Sequence, residues 1–178
     1  KAAELGDQLA FINLGNAYIT GKGVEQNHLK AKKYFEMASQ LNNPQAQFLL
    51  GLMYYYEIGV ELDYLKAKKY FELSADQKYS DSLLFLAEMY GRGVEKNYIK
   101  ALNFYELSAN ENNLLALFFT GNMYSNIFES EFEKAMNYYL KSYEITYSDT
   151  LPAGGYNTYR YCSANSLGLI YLLYFRDL

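Results

Sequence analysis

Two short stretches could cradle phosphate: Gly21-Lys22-Gly23 and Gly91-Arg92-Gly93 each hold a basic side chain between glycines. A phosphate loop also needs further fixed glycines, a preceding strand and a following helix to aim at the anion. These two recur in register with a longer pattern, so turns are expected instead. His28, the single imidazole, is the first suspect for acid–base work. It aligns with Tyr64, Tyr98 and Phe132, which predicts a packing role. Cys162 has no second Cys and no neighbouring activator, so an inert thiol is expected. Glu36, Glu72 and Glu106 recur with the same unit, as do Lys32-Lys33 and Lys68-Lys69. They read as solvated helix faces, with a docking patch for an acidic partner as the alternative for the lysines. No nucleophile elbow or metal-spaced cluster is found. The chain is therefore expected to have no catalytic residue, metal or cofactor.

The elements that hold these residues follow from composition and repetition. The chain has 178 residues, with 16 Lys and Arg against 20 Asp and Glu, a net charge of −4. That balance offers no cationic footprint for a nucleic-acid backbone. No apolar run reaches the roughly 20 residues of a membrane span. Few prolines and abundant Ala, Leu, Lys and Glu favour helices.

A fixed period decides the architecture. Lys-Ala falls at Lys30-Ala31, Lys66-Ala67, Lys100-Ala101 and Lys134-Ala135, with spacings of 36, 34 and 34 residues. Three residues after each Ala comes Tyr34, Tyr70, Phe104 or Tyr138, and a second aromatic follows at once (Phe35, Phe71, Tyr105, Tyr139). Upstream, a small residue recurs at Gly15, Gly51, Ala87, Gly121 and Gly168, with Tyr18, Tyr54, Tyr90, Tyr124 and Tyr171 three residues later. Another small residue sits five places before (Ala10, Ala46, Ser82, Ala116, Ser163); it is taken here as position one of each unit. Gly-Val-Glu closes the first segment at Gly23, Gly59 and Gly93.

Each unit reads as two helices. The first, such as Pro44 to about Glu57, starts after the cap-type Asn43 with Pro at the tolerated first position. The second, such as Asp63 to about Ala75, begins at Asn27, Asp63 or Asn97. The Gly-Val-Glu glycines then lie between helices, where positive φ is needed. Positions one, five, six and nine share one face and are expected to be core. One hairpin buries too little surface alone, so neighbours must stack.

These residues resemble the Sel-1-like repeat family, a relative of the tetratricopeptide repeats. Its pattern reads here as Ala10, Leu14-Gly15, Tyr18, Gly21, Gly23-Val24, Asn27, Lys30-Ala31 and Tyr34. Departures are Tyr or Phe for the usual Trp, two residues missing between Tyr90 and Gly93, and Ile127-Phe128 in place of the fourth Gly-x-Gly-Val turn. Residues 148–155 lengthen the last link, with Pro152 and Gly154-Gly155 as breakers. The resemblance implies an all-α fold: a right-handed α/α superhelix, or solenoid, of antiparallel helix pairs. Residues 1–178 are expected to form one array, with repeats at about 8–43, 44–79, 80–113 and 114–147. Residues 1–7 read as the tail of a preceding repeat and 156–178 as the first helix of an incomplete one. Both ends thus fall inside a unit, and part of a longer array is expected.

The stripe opposite the core comprises positions three, four, seven, ten and eleven, and the resemblance implies that it lines a concave surface. On it lie Asn16, Phe48, Leu49, Leu52, Tyr55, Phe85, Glu88, Phe119 and Asn122. A solvated face should be polar, so Leu49, Phe85 and Phe119 at position four point to an interaction site. Positions three and ten have a second reading, packing against the next hairpin. The expected function is a non-catalytic scaffold or adaptor that takes a peptide or helix of a partner protein. The alternative is a regulatory or substrate-recruiting segment of a larger enzyme. Nucleic acid and membrane insertion are not expected, while the array ends could pack on another chain. The absence of an Asn-x-Ser/Thr sequon leans towards the cytoplasm.

Overall fold

The computed structural model describes residues 8–92, 96–126, 131–148 and 162–168. Those residues form helices and turns with no strand. In order they are α1 (Gln8–Thr20), α2 (His28–Gln40), α3 (Pro44–Tyr55), α4 (Tyr64–Ala75), α5 (Ser80–Arg92), α6 (Tyr98–Asn110), α7 (Leu114–Asn126) and α8 (Phe132–Ser148). Residues 162–168 are helical as well. The segment read as an earlier repeat's tail (1–7), the third Gly-Val-Glu turn (93–95) and the altered fourth turn (127–130) lie outside the described residues. So do 149–161, which hold most of the lengthened link, and 169–178.

Local chemistry sets the helix bounds. The side chains of Asn27, Asp63 and Asn97 each accept the backbone N–H three residues on at 2.9 Å, opening α2, α4 and α6. Asn43 caps α3 at 3.0 Å and Asn113 caps α7 at 3.2 Å. Gly21, Gly23 and Gly59 take φ of 71°, 75° and 66° between paired helices, as their spacing predicts. The pair Gly91-Arg92 departs from this. With two residues fewer in its loop, the third repeat keeps both in the last turn of α5. In the second repeat Glu57 has φ 58° in the slot that Gly21 fills in the first. A side chain in that region costs roughly 1–2 kcal/mol, partly offset by the greater freedom of an unfolded glycine, about 0.4–1 kcal/mol. Glu57→Gly is therefore expected to stabilise the chain by about 0.5–1 kcal/mol, read as a higher urea midpoint at an unchanged slope.

The chain divides into two compact units, residues 1–86 and 87–178, the division falling within α5. In the first, α1 pairs with α2 and α3 with α4, and α2 packs on α3. In the second, α7 pairs with α8 and α6 packs on α7. The short turns make each pair antiparallel, and pairs set side by side are the arrangement of an α-solenoid.

Position one is sealed in the later repeats, where Ala46, Ser82, Ala116 and Ser163 are fully buried, while Ala10 in the first is half-buried. The Lys-Ala alanines Ala31, Ala67, Ala101 and Ala135 are fully buried too. The glycine at position six makes room for a ring. A Cβ on Gly15, Gly51 or Gly121 would come within 2.3, 2.5 or 2.6 Å of Phe35, Phe71 or Tyr139. Burial extends beyond the predicted stripe, because Phe11, Gln47, Leu83 and Leu117 at position two are buried too. A first helix in a stack meets the second helix of its own pair and that of the pair before it. Most of its circumference is then covered, and its pattern is accordingly apolar nearly all round. Where such seams carry hydroxyls, the hydroxyls pair. Ser82 donates to Ser74 and Ser74 to the Pro44 carbonyl, both at 2.7 Å. In the second unit Ser163 donates to Ser142 at 3.2 Å.

Candidate functional site

The face of the first helices is held in place by a cassette that recurs in every repeat. Tyr18 and Tyr34, Tyr54 and Tyr70, Tyr90 and Phe104, and Tyr124 and Tyr138 stack at 5.7–5.9 Å with 8–11° between ring planes. Over the first ring of each pair lies the ammonium of Lys30, Lys66, Lys100 or Lys134, at 5.2–5.3 Å. The lysine of each Lys-Ala pair thus caps the ring quadrupole, worth about 0.5–1 kcal/mol at an exposed site. This locks the first helix to the second at their loop end. The opposite stripe is then presented at a fixed angle.

In the first unit that stripe carries Asn16, Phe48, Leu49, Leu52, Tyr55 and, from α5, Phe85. All are half-buried except Phe48, which is 9% exposed. Phe48 therefore does not line an open face. Its ring packs on Phe71 at 5.8 Å, Tyr79 at 5.4 Å and Phe85 at 5.5 Å. Ile12 and Leu84 at the same position are buried as well, so position three belongs to the packing between hairpins. Leu49 leans on the α1–α2 and α2–α3 cores while keeping part of its surface in water. Phe85 meets Phe71 at 5.2 Å and stands perpendicular to Tyr55 and Tyr56. Tyr55 in turn meets Tyr56 and Tyr64 edge to face at 4.9 and 5.4 Å. Tyr56 and Tyr64 are 58% and 53% exposed. The sequence places Tyr56 on the same stripe and Tyr64 at the packing position shared with His28, but neither among the candidate binding residues.

In the second unit Glu88, Phe119 and Asn122 are half-buried. Phe119 tilts against Tyr105 and Phe118, each at 5.7 Å, and the Arg92 guanidinium lies over its ring at 5.8 Å. Arg92 was missed as a site residue because its Gly-Arg-Gly setting reads as a turn. Burial, and then the carboxylate of Glu88, push the Tyr105 phenol up to about 12. Asn122 is partly engaged: its side-chain oxygen accepts the Tyr139 hydroxyl at 2.7 Å, and Ser125 lies 3.2 Å from the same hydroxyl.

Glu106 also departs from its expected role. Glu36 and Glu72 pair with the lysine four residues before, at 3.0 Å to Lys32 and 3.8 Å to Lys68, on helix surfaces. In the third repeat that lysine is Leu102. Glu106 is half-buried and accepts the Tyr124 hydroxyl at 2.5 Å and the Tyr138 hydroxyl at 3.3 Å on one oxygen. Burial followed by these bonds pushes both phenols upward, Tyr138 to about 12.

The residues first suspected of chemistry are scattered. His28 opens α2 with its Cβ against Gly59, and Cys162 is a half-buried free thiol. Among the described residues no group of acidic, His or Cys side chains could hold a metal. No helix there is long and apolar enough to cross a membrane.

Stacked antiparallel pairs with this register define an all-α solenoid repeat protein. The Sel1 repeat model matches residues 10–43, 44–79, 80–113 and 115–145, and the chain belongs to the Sel1 repeat family. Such repeats commonly serve as protein–protein interaction modules, and proteins made of them are generally non-catalytic scaffolds. Among solved structures, the chain is similar to c5321, described as a protective antigen of uropathogenic Escherichia coli strains with an SLR fold. That match has 30% identity and a TM-score of 0.73, covering 79% of this chain and 31% of that one. A Sel1 repeat protein from Oxalobacter formigenes matches at 27% identity and a TM-score of 0.74, over 80% of this chain and 60% of that one. This chain therefore spans less than two thirds of either relative. Immunity protein Pa5087 from Pseudomonas aeruginosa shares the fold at 21% identity and a TM-score of 0.59, over 96% of this chain and 71% of that one. No curated protein sequence gives a significant match.

Proposed function

We propose that this chain is a non-catalytic scaffold whose first-helix face holds a peptide or helix of a partner protein. The observation that carries the reading is the aromatic surface of the first unit. Tyr56 stays largely in water, and the half-buried Tyr55 and Phe85 stand edge to face around it, although the core beneath is already closed. Leu49 and Leu52 extend that surface along α3. An apolar side chain laid there would lose its water against rings already fixed by their neighbours. Little ordering cost then falls on the protein. Each well-buried anchor contributes roughly 1.5–3 kcal/mol before ordering costs. A few net anchors give about micromolar affinity, near −8 kcal/mol. The second unit, taken by itself, carries Phe119 under the Arg92 guanidinium, with the Asn122 amide on the same helix.

The test is a random-peptide display selection on the full chain, followed by titration of the selected peptides against two variants. Tyr56→Ser removes an exposed ring. Leu52→Asn installs the residue that the first and fourth repeats carry at this position, Asn16 and Asn122. Both variants should melt like the parent, and each should weaken binding about tenfold, the effect of losing some 1.4 kcal/mol. Selected peptides that bind both variants as tightly as the parent would place the interaction elsewhere.

A further inference from the structure

A cavity of about 350 Å³ opens beside α8, lined by Glu106, Tyr124, Lys134, Asn137, Tyr138 and Lys141. Two substitutions within the repeat register, at Leu102 and Lys141, build it around a tyrosine that the register keeps. Leu102 stands where Lys32 and Lys68 neutralise the equivalent glutamates, so Glu106 has no ammonium from its own helix. Tyr138, a tyrosine like Tyr34 and Tyr70 at this position, joins Tyr124 on a single oxygen of Glu106. Lys141 stands where the other repeats carry Met37, Leu73 and Leu107.

The charges at this cavity are unequal in availability. Lys134 is already committed, 3.3 Å from Glu131 and 5.3 Å over the Tyr124 ring, as its counterparts in every repeat lie over theirs. Lys141 makes no ion pair among the described residues, and it shares a face of α8 with Asn137 and Lys134. The site therefore offers a carboxylate whose second oxygen accepts no bond among the described residues, flanked by tyrosine rings. It also offers an uncommitted ammonium with an amide beside it. A simple cation would meet repulsion from the two lysines, and a simple anion from Glu106. A ligand carrying both charges meets neither.

We propose that this cavity binds a small zwitterion, its ammonium on Glu106 between the tyrosines and its carboxylate on Lys141 and Asn137. The charge pattern is that of a free amino acid or of a peptide ending in a basic residue. Calorimetric titration of the full chain separates the cases, using L-alanine, L-lysine and Nα-acetyl-L-lysine with acetate and butylammonium as half-ligands. At least one zwitterion should bind about tenfold more tightly than either half-ligand, since a charged hydrogen bond is lost with each half. Glu106→Gln keeps the oxygen that accepts both hydroxyls but removes the charge, and should cut zwitterion binding to the level of acetate. Lys141→Met, borrowing the residue of the first repeat at an exposed site, should cut it to the level of butylammonium. Retained affinity for Nα-acetyl-L-lysine assigns the site to a chain end, and its loss to free amino acids. Acetate binding as tightly as the zwitterions would overturn the proposal. So would zwitterion binding that neither variant weakens, or the absence of zwitterion binding at millimolar concentration.

Discussion

Phe71→Ala is expected to destabilise the first unit by about 3–5 kcal/mol, the range for removing a fully buried Phe. Phe71 is 0% exposed, and its ring lies where a side chain on Gly51 would be, with Phe48, Tyr55 and Phe85 around it. Glycine has nothing to move into the space left behind. The three surrounding rings are each held by other contacts, so collapse is limited and the cavity term is kept. Leu65→Ala, at a side chain 82% exposed on the same α4, should change stability by less than about 0.5 kcal/mol. Urea unfolding of both variants, followed by tyrosine fluorescence, gives the comparison. Near-equal midpoints would mean that the ring at this register does not carry the stack.

That expectation could be reached from the sequence only in part. The recurrence of Lys-Ala, of the small residues and of the aromatics fixes which side chains face one another, because a period shared by every unit must serve the contact between units. Phe35, Phe71, Tyr105 and Tyr139 are all buried accordingly. A helical wheel, however, sorts residues around one axis and says nothing of how many neighbours surround it. Phe11, Gln47, Leu83 and Leu117 fell outside the predicted core for that reason, since a first helix packs on more than one neighbour, as α3 does on α2 and α4 and α7 on α6 and α8. Phe48 and Phe85 lie on one stripe, yet one is sealed and the other half-open, because burial depends on the element that follows. Lys30 and its counterparts were legible as markers but not as caps over a ring five ångströms away, a relation that only the folded pair creates. Arg92 shows the reverse effect of a deletion. Two missing residues turned a loop motif into the end of α5 and set its guanidinium over Phe119. Glu106 did have a signal in the sequence. The lysine four residues before it, present in two repeats, is Leu102 in the third, and a repeated acid without its repeated partner must find another.

Gly59→Ala is expected to cost about 2–5 kcal/mol, from two effects that a second variant separates. The first is conformational: Gly59 has φ 66°, where a side chain costs roughly 1–2 kcal/mol. The second is contact. An added Cβ would lie 2.2 Å from the Cβ of His28 and 3.4 Å from its Cα. A collision at that depth cannot be relieved by rotating a side chain, because the atoms met belong to the start of α2. That start is pinned, with Asn27 donating its N–H to the Tyr18 carbonyl and capping Lys30, both at 2.9 Å. Moving it would break the turn of the first repeat, and forcing an extra group into such a contact costs about 1–3 kcal/mol. Gly23 is the control, with φ 75° and nothing within 4 Å of an added Cβ. Gly23→Ala should carry the conformational cost alone, so the difference between the two variants measures how firmly the turn of the second repeat is seated on the first. Equal urea midpoints for the two would mean that the turn is not seated there. In that case the first two pairs would be joined only through α2 and α3.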